Sequence, residues 1–193
     1  MVLFRKALFV GCLVAMATAR TFSPGGAWAE SINSASAADG RHDFDFLIGR
    51  WRVHHRVLKR GSDREWVEFE GTSATRPVMG GLGNVEDNVL AYPAGTYRAA
   101  ALRSFDAKSG QWSIWWLDGR SPLGPLDPPV RGNFHDGVGT FYSDDVVDGK
   151  PSRTRYVWSK ITKASCQWEQ ATSADGGATW TTNWVMNFKR VPR

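Results

Sequence analysis

Tryptophan is the residue that first suggests binding chemistry, with ten copies in a chain of 193 residues. An indole ring offers a large apolar face and one N–H donor, which suits the wall of a small-molecule site. Trp116, Trp158 and Trp184 are predicted to form such a wall, because their segments fall in central or adjacent parts of one run of strands. Core packing is the alternative for every tryptophan, and it is favoured for three others: Trp51, Trp112 and Trp180.

Charged side chains suggest where a ligand would be anchored. Asp118 and Arg120 open a long loop rich in Pro and Gly, which is either a rigid salt-bridged connection or a lid at the mouth of a site. Arg103 falls on the more apolar face of its segment, so its guanidinium must meet either an internal carboxylate, Glu68 or Glu86, or an anionic ligand. In the second case Arg103 and Arg120 would bind a carboxylate or a phosphate.

Histidine chemistry centres on His55. His54 and His55 are adjacent in a predicted strand and point to opposite sides, and the other two histidines are far away in sequence, so no metal site is expected. His55 is predicted to face inward, either as a hydrogen-bonded core residue or as a ligand contact. If the protein is an enzyme, His55 would act as acid or base with Asp118 or Glu86.

Other catalytic patterns are missing from the sequence. There is no nucleophile elbow, no phosphate-binding Gly loop and no dinucleotide fingerprint. Cys166 is interpreted as a buried small hydrophobe. The acidic cluster Asp144, Asp145 and Asp148 lacks EF-hand spacing and is interpreted as a solvated turn.

The elements that must position these residues are short β-strands. Runs rich in Val, Trp, Tyr, Phe and Thr recur every 8 to 12 residues between Gly, Pro, Asp and Asn clusters. The predicted strands are 50–59, 65–76, 83–91, 97–105, 111–118, 129–135, 138–146, 152–161, 164–173 and 179–190. Their hairpin-like turns favour an all-β fold, a single antiparallel meander barrel of about ten strands, over an open sandwich, because closure hides the strand edges.

Alternation predicts which side chains face inward. In the first strand the inward set is Trp51, Val53, His55 and Val57. In the last strand the inward set is Trp180, Thr182, Trp184, Met186 and Phe188. Across the turn at 106–110, the pairing sets Arg103 opposite Ile114. The second and third strands do not choose a face, because Glu68, Glu86 and Asp87 interrupt every alternation.

The N-terminus is typical of an exported protein. Arg5 and Lys6 precede a short apolar run, and cleavage is expected after Ala29, with Ala19 and Ala37 as competing sites. The predicted organisation is a signal peptide over 1–29, a flexible leader over 30–41 and one barrel domain over 42–193. We therefore expect a periplasmic or secreted protein.

Charge sets limits on the partners. The formal net charge of +5 includes three basic residues of the predicted signal, Arg5, Lys6 and Arg20, so the mature chain is close to neutral. Nucleic-acid binding is therefore not expected, and neither is stable membrane insertion, since no later segment is apolar enough. The expected assembly is a monomer or a weak homodimer.

Several stretches carry a family resemblance. Gly49-Arg50-Trp51 resembles the Gly-x-Trp signature that opens lipocalin and related calycin barrels. The segments 44–51, 102–106, 112–118 and 173–180 are similar to a family of exported lipocalin-like barrel proteins of unknown function. The resemblance implies the barrel fold and supplies no activity. Nitrobindin-type haem barrels share the opening and the strand count, but their haem-ligating His lies late in the chain, whereas the last His here is His135, so no cofactor is expected.

The sequence therefore predicts a non-catalytic binder of a small apolar or amphipathic ligand, including an anionic one, in the barrel interior. The alternatives are a lipocalin-fold enzyme of the isomerase, cyclase or hydrolase type and an envelope structural protein whose tryptophans fill the barrel. The predicted ligand-binding residues are His55, Arg103, Trp116, Asp118, Arg120, Trp158 and Trp184.

Overall fold

Ten antiparallel strands close into one barrel in the computed structural model, which describes residues 40–147 and 149–192. The strands are β1 Gly49–Leu58, β2 Trp66–Val78, β3 Gly83–Leu90, β4 Tyr97–Asp106, β5 Gln111–Asp118, β6 Val130–His135, β7 Val138–Val147, β8 Lys150–Ser159, β9 Ser165–Ser173 and β10 Thr181–Arg190. Neighbours in sequence are neighbours in the barrel, and β1 pairs with β10 to close it. In this described part of the chain, 3₁₀ turns occur at Gly40–His42, Asp45–Leu47 and Met79–Gly81. The predicted all-β meander barrel is confirmed.

The Gly-x-Trp segment seals one end of the barrel, which we call the closed end. The Trp51 indole N–H donates to the Leu47 carbonyl at 2.8 Å, and the Arg190 guanidinium lies over the Trp51 ring at 4.1 Å. Arg190 also donates to the carbonyls of Phe46 and Ile48, so the last strand is tied to the turn before the first. Gly49 is required here, because its φ is +126° and a Cβ would lie 2.7 Å from Arg190 Nη1.

Aromatic packing fills the closed end. Phe44 is its centre, since its ring makes edge contacts with Trp112 and Phe134 at 5.0 Å and stacks on Phe141 at 5.7 Å. The side chains there that are at most 1% exposed are Phe44, Leu47, Trp51, Val53, Trp112, Phe141 and Phe188. This half of the barrel is therefore filled by its own side chains, as expected of a small barrel.

The barrel wall is interrupted beside β6, which has only six residues. β6 pairs with β5 at residues 112–114 alone, so the rest of β5, from Trp115 to Asp118, has no β6 partner. On the other side, β7 pairs with β6 only as far as Tyr142. The wall is therefore thinner between the last residues of β5 and β7, near the end opposite the closed one.

The position of Trp180 differs from the prediction that it belongs to the inward stripe of the last strand. The strand starts at Thr181, and the register with β9 shifts between Thr182 and Trp184. Trp180 instead lies over the Arg155 guanidinium at 4.4 Å and contacts Tyr142 at 6.0 Å. Both residues lie on the outer face, because the alternate positions of β7 and β8 face inward.

The predicted signal peptide, 1–29, and most of the predicted leader lie outside the described residues. Gly40 already belongs to the fold, because its carbonyl accepts the Trp112 indole N–H at 2.9 Å. Within residues 40–147 and 149–192, no helix has the length and apolarity needed to cross a membrane.

Candidate functional site

A buried ion pair between neighbouring strands lies in the barrel interior. Arg103 on β4 and Glu86 on β3 face inward and are 3% and 2% exposed. Arg103 Nη2 lies 2.5 Å from Glu86 Oε2, and Arg103 Nη1 donates to Asn84 Oδ1 at 3.0 Å. The Ser73 hydroxyl donates to the other oxygen of Glu86. Of the two partners that the sequence allowed for Arg103, the internal one, Glu86, is therefore present.

The environment of Arg103 is otherwise aromatic. Its guanidinium carbon lies 5.2 Å from the Phe44 ring centre and 5.3 Å from that of Trp158. Such cation–π contacts stabilise a guanidinium that is buried away from water, and they fix the orientation of its plane. Among the described residues, no acceptor lies within hydrogen-bond distance of Arg103 Nε.

Above this ion pair the interior is not filled. A cavity of about 70 Å³ remains, several times what one water molecule requires. We call it the aromatic cavity. It is lined by Glu86, Ala101, Arg103, Ile114, Trp116, Tyr156, Trp158, Trp168, Gln170, Trp184 and Met186.

A second space adjoins it at the thin part of the wall. This space, which we call the recess, has about 270 Å³ and shares Ile114, Trp116, Tyr156 and Gln170 with the aromatic cavity. Its remaining lining is more polar: Asp127, Pro128, Val130, Ser143, Asp144, Asp145 and Thr154. The recess therefore gives the aromatic cavity a polar approach from one side of the barrel.

The aromatic walls hold one another in place. The Trp184 ring meets Trp116 edge-on at 5.9 Å and Trp168 edge-on at 5.5 Å. Tyr156 packs against Trp168 at 4.9 Å, and its burial together with the charge of Asp127 raises its pKa to about 12. The phenol therefore keeps its proton at neutral pH and remains a neutral donor.

His55 supports the aromatic cavity from behind. Its ring stacks on Phe69, with centroids 4.7 Å apart, and its Nδ1 accepts the Trp184 indole N–H at 3.3 Å. Burial, together with electrostatic repulsion from His54, lowers the His55 pKa to about 4. His55 is therefore neutral at pH 7, and within the described part of the chain no carboxylate contacts it. The pairing with Asp118 or Glu86 that the enzyme alternative required is not formed.

Asp118 and Arg120 lie at the rim, outside the lining of the aromatic cavity. Asp118 follows Trp116 on the same face of β5, and it pairs with Arg120, whose Nη2 lies 2.6 Å from the carboxylate. That hydrogen bond from Arg120 lowers the Asp118 pKa. The Arg120 guanidinium also covers the Tyr97 ring at 3.8 Å. These two residues therefore form the salt-bridged connection that was one of the two interpretations of the loop.

Four of the seven predicted site residues converge on one space: Arg103, Trp116, Trp158 and Trp184. His55 touches it through Trp184, and whether any of them contacts a ligand remains a prediction. Two lining residues, Trp168 and Tyr156, were not predicted from the sequence. The pattern contained a signal for both, because Trp168 lies two residues after buried Cys166 and Tyr156 lies two residues before Trp158, so each pair shares a face of its strand.

The pKa of the Cys166 thiol rises to about 12 because the thiol is buried, so it stays protonated. No cluster of metal-binding side chains occurs in residues 40–147 and 149–192.

The comparisons with known proteins concern the fold. No protein-family model and no curated protein sequence matches the chain. Among solved structures, the chain is similar to the S-type phycobiliprotein lyase CPES from Guillardia theta, with a TM-score of 0.51, 10% identity, and 80% of this chain and 96% of that one covered. A DUF3598-family protein of unknown function from Nostoc punctiforme gives a TM-score of 0.39 and 14% identity, covering 77% of this chain and 48% of that one. The first similarity supports the barrel fold alone, and the family resemblance seen in the sequence stays a prediction.

Proposed function

We propose that this protein binds a small, largely apolar molecule in the aromatic cavity. One observation carries the proposal: four tryptophans and a tyrosine enclose a space that the protein's own side chains leave open, next to the recess where the wall is thinnest. Rigid aromatic walls with a few fixed polar groups are the usual construction of a small-molecule site.

The support of the walls favours binding over simple core packing. His55 holds the Trp184 indole by a hydrogen bond, and Trp184 in turn contacts Trp116 and Trp168. A buried histidine that positions a cavity wall by a hydrogen bond is the kind of supporting contact that keeps a site in shape. The polar recess then provides the approach, so an amphipathic molecule would leave its polar end there.

Export is part of the proposal. The pattern of residues 1–29 is that of a cleaved signal, so the ligand would be met in the periplasm or outside the cell. The lyase with a similar barrel is named for phycobiliproteins, but at 10% identity its activity gives no argument for this chain.

A fluorescence titration tests the binding. N-phenyl-1-naphthylamine is a neutral probe of two linked ring systems, and its emission rises in apolar surroundings. We expect a saturable rise with the mature protein. Trp116→Leu should weaken the affinity roughly tenfold, because it removes one aromatic wall.

Trp115→Leu is the matched control. Trp115 is the neighbour of Trp116 on β5 and faces outward, opposite the exposed Leu102. We expect this variant to keep the wild-type affinity. The proposal is wrong if the probe shows no saturable emission, or if the two variants lose affinity equally.

A further inference from the structure

Within residues 40–147 and 149–192, two side chains that line the aromatic cavity each carry a buried N–H donor without an acceptor from the protein. The donors are Arg103 Nε and Trp158 Nε1, on side chains that are 3% and 2% exposed. Nearly all buried donors in folded proteins have an acceptor, because an unsatisfied one loses its hydrogen bond to water without replacement. These two donors therefore indicate the place where an acceptor atom would be stabilised.

The two donors belong to neighbouring side chains. The Arg103 guanidinium carbon lies 5.3 Å from the centre of the Trp158 ring, and both residues line the same cavity. A ligand in this cavity therefore lies beside both side chains. Trp184, another tryptophan of the cavity lining, differs because its N–H already donates to His55.

The charge of Arg103 does not call for an anion. Glu86 already neutralises it at 2.5 Å, and the Ser73 hydroxyl and the Asn84 amide complete the pair. The approach also opposes an anion, because the recess carries the carboxylates of Asp127, Asp144 and Asp145. Of these, Asp144 lies 3.2 Å from Arg153, and the recess lining itself contains no basic side chain. A second negative charge inside would be repelled by Glu86 and would lose its water.

We infer that the ligand is uncharged and carries a carbonyl-type oxygen, which accepts the N–H of Trp158 and lies beside the Nε–H of Arg103. This narrows the proposed function and rests on it. It also replaces the expectation, drawn from the sequence, that Arg103 anchors a carboxylate or a phosphate.

Three probes of one shape test the inference. Acetophenone carries the carbonyl, α-methylstyrene replaces its oxygen by a CH₂ group, and benzoate replaces the methyl ketone by a carboxylate. Their affinities are measured by calorimetry at pH 7, and the tryptophan indole N–H signals are followed by ¹H–¹⁵N correlation spectra. We expect acetophenone, and not α-methylstyrene, to move the Trp158 N–H signal downfield. Benzoate should bind at least roughly tenfold more weakly than acetophenone.

Two variants provide the matched comparison. Trp158→Phe keeps an aromatic ring and removes the unpaired donor, so it should weaken acetophenone about fivefold relative to α-methylstyrene, the factor of one ordinary hydrogen bond. Trp184→Phe removes an indole whose N–H is already bonded to His55. It should change both affinities by the same factor, so the ratio between the two probes stays at the wild-type value.

The outcomes separate the two proposals. If α-methylstyrene binds but the Trp158 signal does not respond to acetophenone, or if benzoate binds most tightly, the aromatic cavity binds ligands and the inferred acceptor is wrong. The same holds if Trp158→Phe leaves the ratio unchanged, since the donors then bond only to water. If none of the three probes binds, the inferred acceptor is wrong, and the N-phenyl-1-naphthylamine titration decides the proposed function. Should Trp158→Phe fail to fold, the wild-type spectra and the benzoate comparison still decide.

Discussion

The two ends of the barrel use aromatic residues in opposite ways. At the closed end, Phe44, Trp51 and Trp112 are at most 1% exposed and belong to one packed cluster. At the other end Trp116 and Trp184 are half-buried and surround the aromatic cavity. The same residue types therefore serve stability where a turn plugs the barrel, and leave a space where β6 is too short to complete the wall.

The ion pair of Arg103 and Glu86 lies between these two regions. Its guanidinium touches Phe44 of the closed end and also lines the aromatic cavity. Ser73 and Asn84 hydrogen-bond to the pair, and His55, Thr75 and Asn88 are further buried polar side chains. The ion pair therefore adjoins both a packed half and a hollow half of the barrel, so substitutions on either side of it should have different effects.

Removing an aromatic side chain from each end should show the largest difference. Phe44→Ala should lower the free energy of unfolding by about 3 to 5 kcal/mol, because it leaves a cavity among rigid neighbours. Trp116→Ala should lower it by less than about 1.5 kcal/mol, because the ring is half-exposed and already faces open space. Urea denaturation of the two variants measures both values. Equal losses would mean that the two ends are packed alike.

Breaking the ion pair should have the next largest effect. Arg103→Met leaves Glu86 buried without its partner, which should destabilise the fold by about 3 kcal/mol. The double variant Arg103→Met with Glu86→Gln removes the stranded charge and should recover much of that loss. Chemical denaturation and a double-mutant cycle measure both effects. A single variant as stable as wild type would show that Arg103 and Glu86 do not depend on each other.

Most of the fold could be predicted from the sequence, because alternation is clear wherever the inward stripe is apolar. In β1 the stripe through Trp51 and His55 was predicted and is present. In β3 the inward residues are Asn84, Glu86 and Asn88, followed by Leu90. From sequence alone, a buried polar stripe looks the same as a solvent-facing one. The two can be distinguished only when Arg103 on the neighbouring strand is known to pair with Glu86.

The site was predictable in part for a related reason. Arg103 and the wall tryptophans were found because their own strands alternate clearly. The recess was not, since it results from pairing that stops at residue 114 of β5 and at Tyr142 of β7. That is a long-range property, which no local pattern specifies. Trp180 was misplaced because the irregularity near residue 183 breaks the alternation that the prediction assumed.

Acid should lower the free energy of unfolding through His55, which lies in the hollow half, and this effect should be smaller than those of the substitutions above. The His55 pKa is about 4 in the folded protein and 6.5 in the unfolded chain, because burial disfavours the charged ring and His54 adds a smaller repulsion. Between these values the unfolded chain binds the extra proton, so stability rises with pH across this window and is lost as the pH falls. From pH 6.5 to 4.5 the loss of stability due to His55 is about 2 kcal/mol.

His55→Gln should reduce this pH dependence by that amount, whereas His54→Gln on the exposed face of β1 should leave most of it in place. Thermal unfolding of the three proteins at both pH values measures the difference. Parallel curves for His55→Gln and wild type would mean that His55 is not neutral and buried behind Trp184, and the support of the cavity wall would need another explanation.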